Sequence, residues 1–332
     1  MTEAYPFVSI CTPTFNRRPF YSMIIQCFQN QTYPADRMEW IIVDDGTDPI
    51  GDLVAHIPQV RYFREEHKMT LGKKRNYMHK QSKGDFIIYF DDDDYYPPER
   101  VSHAVSMLQN NPDILMAGSS EMYLYFKHIN KMYQFGPYGP NHATAATFAF
   151  RKELLNITSY NEESCVAEEK NFLKEYTIPF VQLDPLKCIL VFSHIHNSCD
   201  KKTMLNKNDP FIKETTKTID DFVKEDSIKK FFLEDIDTIL EGYEPGRPEN
   251  KQDVMKQIDE LMKKREEMMK QQQQRYQEQQ IMNMINEQRS TIEQLNKDNK
   301  FLKEKNEYLE NKMRKLIEDQ IKQRLDVKNK KK

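Results

Sequence analysis

Gly84-Asp85-Phe86-Ile87-Ile88-Tyr89-Phe90-Asp91-Asp92-Asp93-Asp94 is the stretch whose reading decides the fold. Residues 86–90 are a short apolar run, read as a strand buried on both faces, and they lead straight into four carboxylates. Adjacent acids repel one another and are costly without a counter-charge. At the C-terminal end of a parallel strand they stand where open α/β sheets bind ligands. Alternate acidic side chains there can grip a hard divalent cation, Mg²⁺ or Mn²⁺, that also holds phosphate oxygens.

Three upstream segments have the same design. Residues 7–11 (FVSIC) read as a buried strand followed by Thr12-Pro13-Thr14-Phe15-Asn16-Arg17, which supplies small polar groups and a rigid proline. Residues 39–43 (EWIIV) are a second strand and run into Asp44-Asp45-Gly46, where the glycine permits a tight turn. After a short strand at 60–63, Leu71-Gly72-Lys73-Lys74-Arg75-Asn76 opens a helix whose three positive charges suit a diphosphate. Helices are expected at 19–30, 71–81 and 98–109, the last with proline in its first turn. Strands alternating with helices predict an α/β fold with a mostly parallel sheet covered on both faces. Its four polar segments converge on one crevice. From 115 the pattern turns aromatic and strand-like, at 122–127 and 144–150, which predicts a second, mixed part of the same domain.

The order and spacing of VSICTPTFNR (8–17), EWIIVDDGTD (39–48), LGKKRNYM (71–78) and GDFIIYFDDDDYYPPER (84–100) resemble the family 2 glycosyltransferases of the GT-A fold. The resemblance covers roughly the first 200 residues. It implies a Rossmann-like, nucleotide-diphosphate-sugar-binding domain with a UDP-sugar donor, an acceptor hydroxyl and Mn²⁺ or Mg²⁺ as cofactor. By the same likeness Thr12, Pro13, Thr14 and Asp44 or Asp45 border the base, and Arg75 lies near the nucleotide. Asp91 and Asp93 correspond to the two acids of the family's D-x-D motif, with Asp91 nearer the ribose and Asp93 the principal metal ligand. Asp92 stands where the family usually has a small neutral residue. In CVAEEKNFLKEY (165–176), Glu169 corresponds to the usual aspartate and is expected to be the catalytic base. Some GT-A enzymes add a downstream histidine to the metal. His194 and His196 follow a strand expected at 188–192 and share a face if it continues; if it ends there, only one of them reaches the ion, and His194 is the assigned ligand. The tract at 136–142 (GPYGPNH) reads as an acceptor-side loop. Two rival readings are a sugar nucleotidyltransferase, against which TPTFNRRPF lacks a glycine-rich phosphate loop, and a non-catalytic sugar-binding scaffold.

Beyond the expected domain at 1–205, residues 206–241 read as a helical extension. Ile219, Phe222, Val223, Phe231, Phe232, Ile236, Ile239 and Leu240 form its apolar face. GYEPGRPEN (242–250) reads as a linker. At 251–332 Leu295, Leu302, Leu309 and Leu316 recur every seven residues, with Ile292, Asn299, Asn306 and Met313 three residues ahead of them. That heptad predicts a coiled coil and a homodimer.

The chain has 332 residues, 38 % hydrophobic and 30 % charged, with a net charge of -3, which gives no reason to expect nucleic acid as a partner. The flank QQQQRYQEQQ lacks the basic residues that a zipper-type DNA reader needs. No signal peptide and no membrane span are read. Cys11, Cys27, Cys165, Cys188 and Cys199 lack metal-ligand spacing and read as buried thiols of a reducing, cytoplasmic setting.

Overall fold

The computed structural model describes residues 5–198, 200–206 and 209–329, so Cys199 lies outside the described residues. The chain divides into two units, one ending at Glu260 and the other beginning at Leu261.

The first unit opens with β1 (Val8–Thr14), α1 (Tyr21–Gln29), β2 (Met38–Asp44), α2 (Gly51–Val54), β3 (Val60–Arg64), α3 (Leu71–Gln81), β4 (Phe86–Tyr89) and α4 (Arg100–Gln109). β5 (Met116–Gly118), β6 (Met122–Phe126), β7 (Lys131–Phe135), β8 (Ala149–Arg151), α5 (Glu169–Phe172), β9 (Phe180–Gln182), β10 (Leu190–Ser193) and β11 (Ile212–Glu214) follow. The strand expected at 144–150 is shorter than read, because residues 145–147 form a 3₁₀ turn before β8.

Seven strands make the main sheet in the order β3-β2-β1-β4-β8-β5-β9. β1 pairs in parallel with β2 and β4, and β2 with β3, while β8 runs antiparallel between β4 and β5. This is the mixed, mostly parallel, helix-flanked sheet that the sequence predicts. Thr14 sits beside Asp44, and Cys11 beside Tyr89, so the polar segments after β1, β2 and β4 leave the sheet on one edge. A second sheet, β10-β6-β7-β11, is the mixed part.

Alternation along the strands divides the core between the two faces of the sheet. Val8, Ile10, Trp40, Ile42, Phe86 and Ile88 belong to one cluster with α1 and α4, where Phe28 stacks on Trp40 at 4.7 Å. Cys11, Ile41, Val43, Ile87 and Tyr89 belong to the other, with Met78 of α3 and Phe172 of α5. The four described cysteines are buried and free.

In the second cluster His79 is packed by Tyr89, Phe150, Tyr160 and Phe172, with Nε2 2.6 Å from the Tyr89 hydroxyl. Burial pushes its pKa from 6.5 down to about 3. The unfolded chain therefore binds a proton near pH 6.5 that the folded chain refuses until about pH 3. Stability contributed by the neutral ring is present above 6.5 and is lost as pH falls through this window, by about 1.4 kcal/mol per pH unit. Urea unfolding across pH 4.5 to 6.5 is expected to show that slope and to lose about that much of it in His79→Gln; an unchanged slope would remove His79 as its source.

Residues 219–241 form α6 (Ile219–Phe222), α7 (Asp226–Lys230), a π turn (Phe231–Asp235) and α8 (Ile236–Glu241). They pack on the core, Phe232 stacking on Phe192 at 3.5 Å. Ile239 departs from the expected face and is 39 % exposed. A π turn adds a residue to the helical repeat, so Phe232, Ile236 and Leu240 face inward at intervals of four. Residues 242–250, read as a linker, form two 3₁₀ turns held against the body: Asn16 Nδ2 donates to Pro245 O at 2.9 Å and Arg17 Nη1 to Gly246 O at 3.4 Å. A Cβ on Gly246 would meet His196 Nδ1 at 2.6 Å, so the chain approaches too closely for a side chain there.

α9 (Gln252–Asn329) contributes its first turns to this unit. The second unit is the rest of that helix, and Leu295, Leu302, Leu309 and Leu316 are 48–57 % exposed. No described helix is long and apolar enough to cross a membrane.

Candidate active site

At the carboxyl edge of the main sheet lies a cavity of about 350 Å³, lined from β1 and its following loop, α3, the first three of the four acids, residues 165–168 and the start of α9. Its chemistry is set by charges that are almost all buried.

Arg17 leaves the β1 loop with its guanidinium 3.3 Å from Asp93 Oδ2 and 3.6 Å from Asp92 Oδ1, and donates to His196 O at 2.9 Å. Arg75 reaches from α3, lies 4.3 Å over the Tyr89 ring, donates from Nε to Glu168 Oε1 at 3.0 Å and sits 3.7 Å from Asp91 Oδ1. Burial raises the pKa of Asp91, Asp92 and Asp94. Burial pushes Asp93 the same way, but a hydrogen bond from His194 and the charge of Arg17 outweigh it and hold its carboxyl well below the usual range. Among the four acids Asp93 is the one whose ionised form its surroundings favour.

Among the described residues, Asp91 Oδ1, Asp92 Oδ2 and Asp94 Oδ1 are buried without a hydrogen-bond partner. Buried, unpartnered carboxylate oxygens suit a hard cation. Among the described residues no three His, Cys, Asp or Glu side chains are already gathered as an ion's ligands. Asp93 and His194 are brought together, Oδ2 to Nε2 at 3.3 Å, whereas Asp91 faces Arg75. β10 ends at Ser193, so His194 and His196 leave on a turn rather than on a strand face. His194 Nε2 is also 2.9 Å from Asn197 Nδ2, while His194 Nδ1 accepts from His196 N at 3.2 Å. One tautomer donates to Asp93; the other turns a lone pair toward it, as a metal ligand does. Burial lowers the pKa of His194 to about 4, keeping the ring neutral. The His196 ring lies 6.1 Å from Tyr243.

Pro13, Thr14, Arg75, Asp91 and Asp93 line the cavity, whereas Thr12, Asp44 and Asp45 do not. Thr12 accepts from Trp40 Nε1 at 2.8 Å inside the core. Asp44 accepts from Gly46 N, Ile50 N and the Tyr62 hydroxyl, all within 2.9 Å, so it shapes the turn after β2. Asp45 accepts from Met69 N and Lys74 Nζ, each at 2.5 Å. Lys74 is thus spent on Asp45 and on Thr14 O, and Lys73 is exposed, so the α3 charges do not act together. Glu168 lines the cavity; Glu169 starts α5, half-buried and off that wall. The 136–142 tract lines a separate cavity of about 440 Å³.

Arg17 and the start of α9 are the parts that sequence reasoning missed. Arg17 closes a quoted motif and could have been matched to the acids as their counter-charge. Lys251, Asp253 and Val254 carry no local signal: Asp253 reaches the site through an ion pair with Lys68, and Gln257 accepts from Cys165 N at 2.8 Å.

Residues 9–161 match the family described as Glycosyl transferase family 2, which contains the β1, α3 and β4 portions of the cavity. The match shows the family resemblance carried by the four motifs. An uncharacterized glycosyltransferase of Rickettsia bellii (strain RML369-C) is 32 % identical over 128 residues, covering 37 % of this chain and 18 % of that protein. Poly(ribitol-phosphate) beta-N-acetylglucosaminyltransferase TarS of Staphylococcus aureus (strain Mu50 / ATCC 700699) is 26 % identical over 114 residues, covering 32 % of this chain and 20 % of that protein. The chain spans about a fifth of the length of these curated relatives. Among solved structures, mannosyltransferase PcManGT from Pyrobaculum calidifontis, in complex with GDP-Man and Mn²⁺, aligns with a TM-score of 0.46 and 16 % identity over 57 % of each chain.

Proposed function

We propose that the chain transfers a sugar from a nucleotide diphosphate, with uridine as the base, to an acceptor hydroxyl, inverting the anomeric centre. The observation that carries this reading is an Asp93 carboxyl met by His194 and Arg17 beside unpartnered carboxylate oxygens, facing basic side chains in one cavity of the family 2 segment. Asp91 and Asp93, with His194 as third donor, would hold Mn²⁺ or Mg²⁺; bound there, the ion supplies Lewis-acid neutralisation of the departing diphosphate. Arg75 and Arg17 orient the acids and add positive charge beside the phosphates. Pro13 and Thr14 border the nucleotide. Glu168 is committed to Arg75, and we assign the neighbouring Glu169 to take the acceptor's proton as its oxygen attacks. One displacement through an oxocarbenium-like transition state follows. The test is donor hydrolysis across UDP- and GDP-sugars with Mn²⁺ and with EDTA. Metal-dependent release of UDP from one sugar is expected; silence across the panel together with no UDP binding would overturn the enzymatic reading.

The leucine seam of the second unit we assign to self-association with a second copy in a parallel two-stranded coil, as Leu at d and Asn at two a positions favour. Sedimentation of the full chain is expected to show a dimer. Leu302→Asp with Leu309→Asp should raise its Kd about a thousandfold or more, since four buried leucines are lost per dimer. A dimer indifferent to both changes would place the interface elsewhere. The free, buried cysteines support a reducing, cytoplasmic setting.

A further inference from the structure

Five basic side chains line the donor cavity: Arg17, Lys68, Lys74, Arg75 and Lys251. Four of them meet a carboxylate oxygen within 4.0 Å: Arg17 on Asp92 and Asp93, Lys68 on Asp253, Lys74 on Asp45, and Arg75 on Glu168. Among the described residues Lys251 has no such partner. It is 8 % exposed, and its Nζ donates to the Ser198 hydroxyl at 3.0 Å. An ammonium group has three N–H donors, and a neutral hydroxyl does little to offset the cost of burying the charge.

Lys251 is held in place from both sides. Its backbone N–H donates to Pro248 O at 2.8 Å, and the preceding turns are tied to Asn16 and Arg17. After it, Asp253 pairs with Lys68, and Gln257 donates to Glu163 O at 2.7 Å and accepts from Cys165 N. The chain thus carries a buried, under-compensated cation to the wall of a cavity whose other cations already have anionic partners.

We infer that Lys251, which lies beyond the family 2 segment, binds the diphosphate of the donor. An oxygen of that group supplies the anionic partner the ammonium lacks, and the charge gained by the diphosphate on leaving strengthens the contact. The inference rests on the nucleotide-diphosphate reading of the cavity.

Calorimetry on the full chain, titrated in turn with inorganic pyrophosphate, UDP and uridine, tests it. Lys251→Gln keeps a side chain able to bond Ser198 and removes a poorly paired buried charge, so its thermal unfolding midpoint should not fall. It is expected to weaken pyrophosphate and UDP about tenfold or more while leaving uridine unchanged, and Lys251→Arg is expected to keep most of the affinity. Unchanged UDP and pyrophosphate affinity in Lys251→Gln would overturn the inference, as would equal weakening of uridine, which marks a merely structural role. Lys251-dependent pyrophosphate binding without UDP binding would uphold Lys251 as an anion site and remove the uridine donor. UDP binding indifferent to Lys251 would do the reverse. Wild-type protein that binds neither would overturn both.

Discussion

Asp93→Asn is expected to lower sugar transfer about a thousandfold and to abolish the response of UDP binding to Mn²⁺. The amide keeps the size of the side chain but removes the carboxylate that meets His194 and Arg17 and whose ionised form they favour. Asn also takes away a negative charge that raises Asp92 and Asp94, so the fold should tolerate it and the loss should be one of chemistry. Initial rates with a saturating donor, beside UDP calorimetry with Mn²⁺ and with EDTA, provide the check. A variant with unimpaired rate and intact metal response would remove Asp93 as the principal ligand.

The second large effect separates two neighbouring acids. Glu169→Gln should reduce turnover between about a hundredfold and ten-thousandfold while UDP affinity stays the same, because only proton removal in the transition state is lost. Glu168→Gln should behave differently. Its carboxylate meets Arg75 Nε at 3.0 Å, and Arg75 in turn faces Asp91 at 3.7 Å. Removing that charge leaves a buried guanidinium with a weaker partner, which should disturb donor affinity along with turnover. If Glu168→Gln alone loses turnover at unchanged UDP affinity, the base is Glu168 and the assignment moves by one residue.

Much of this molecule was readable before any coordinates. β1, β2 and β4 lie where mostly apolar runs place them, because a strand covered on both faces can contain little else, and α3 lies on a helix-forming stretch; β3 (VRYFR) is a partly exposed edge strand. Asp91, Asp93, Pro13, Thr14 and Arg75 line the cavity, and each stands at the end of a strand or in the first turns of a helix at one sheet edge, a placement that the local pattern of the sequence suggests. The polar residues that stay off the cavity share a feature. Asp44, Asp45 and Thr12 stand at the same edge, but their oxygens are consumed by backbone amides, Tyr62, Lys74 and Trp40. A motif shows which polar groups are near a site, not which of them the fold has already satisfied.

Residue order by itself determined the family 2 resemblance, the mostly parallel sheet and the acidic edge, since all three follow from local periodicity and from spacing along the chain. Only the tertiary structure decided the electrostatics and the walls of the site. Arg17 and His194, 177 positions apart in the numbering, converge on Asp93 and set its charge. Lys251, after two proline turns that look like a tether, lines the cavity, because Asn16 and Arg17 bind those turns. Contacts between residues so far apart leave no periodic trace in the chain; they exist only once packing has chosen which buried charges must find partners.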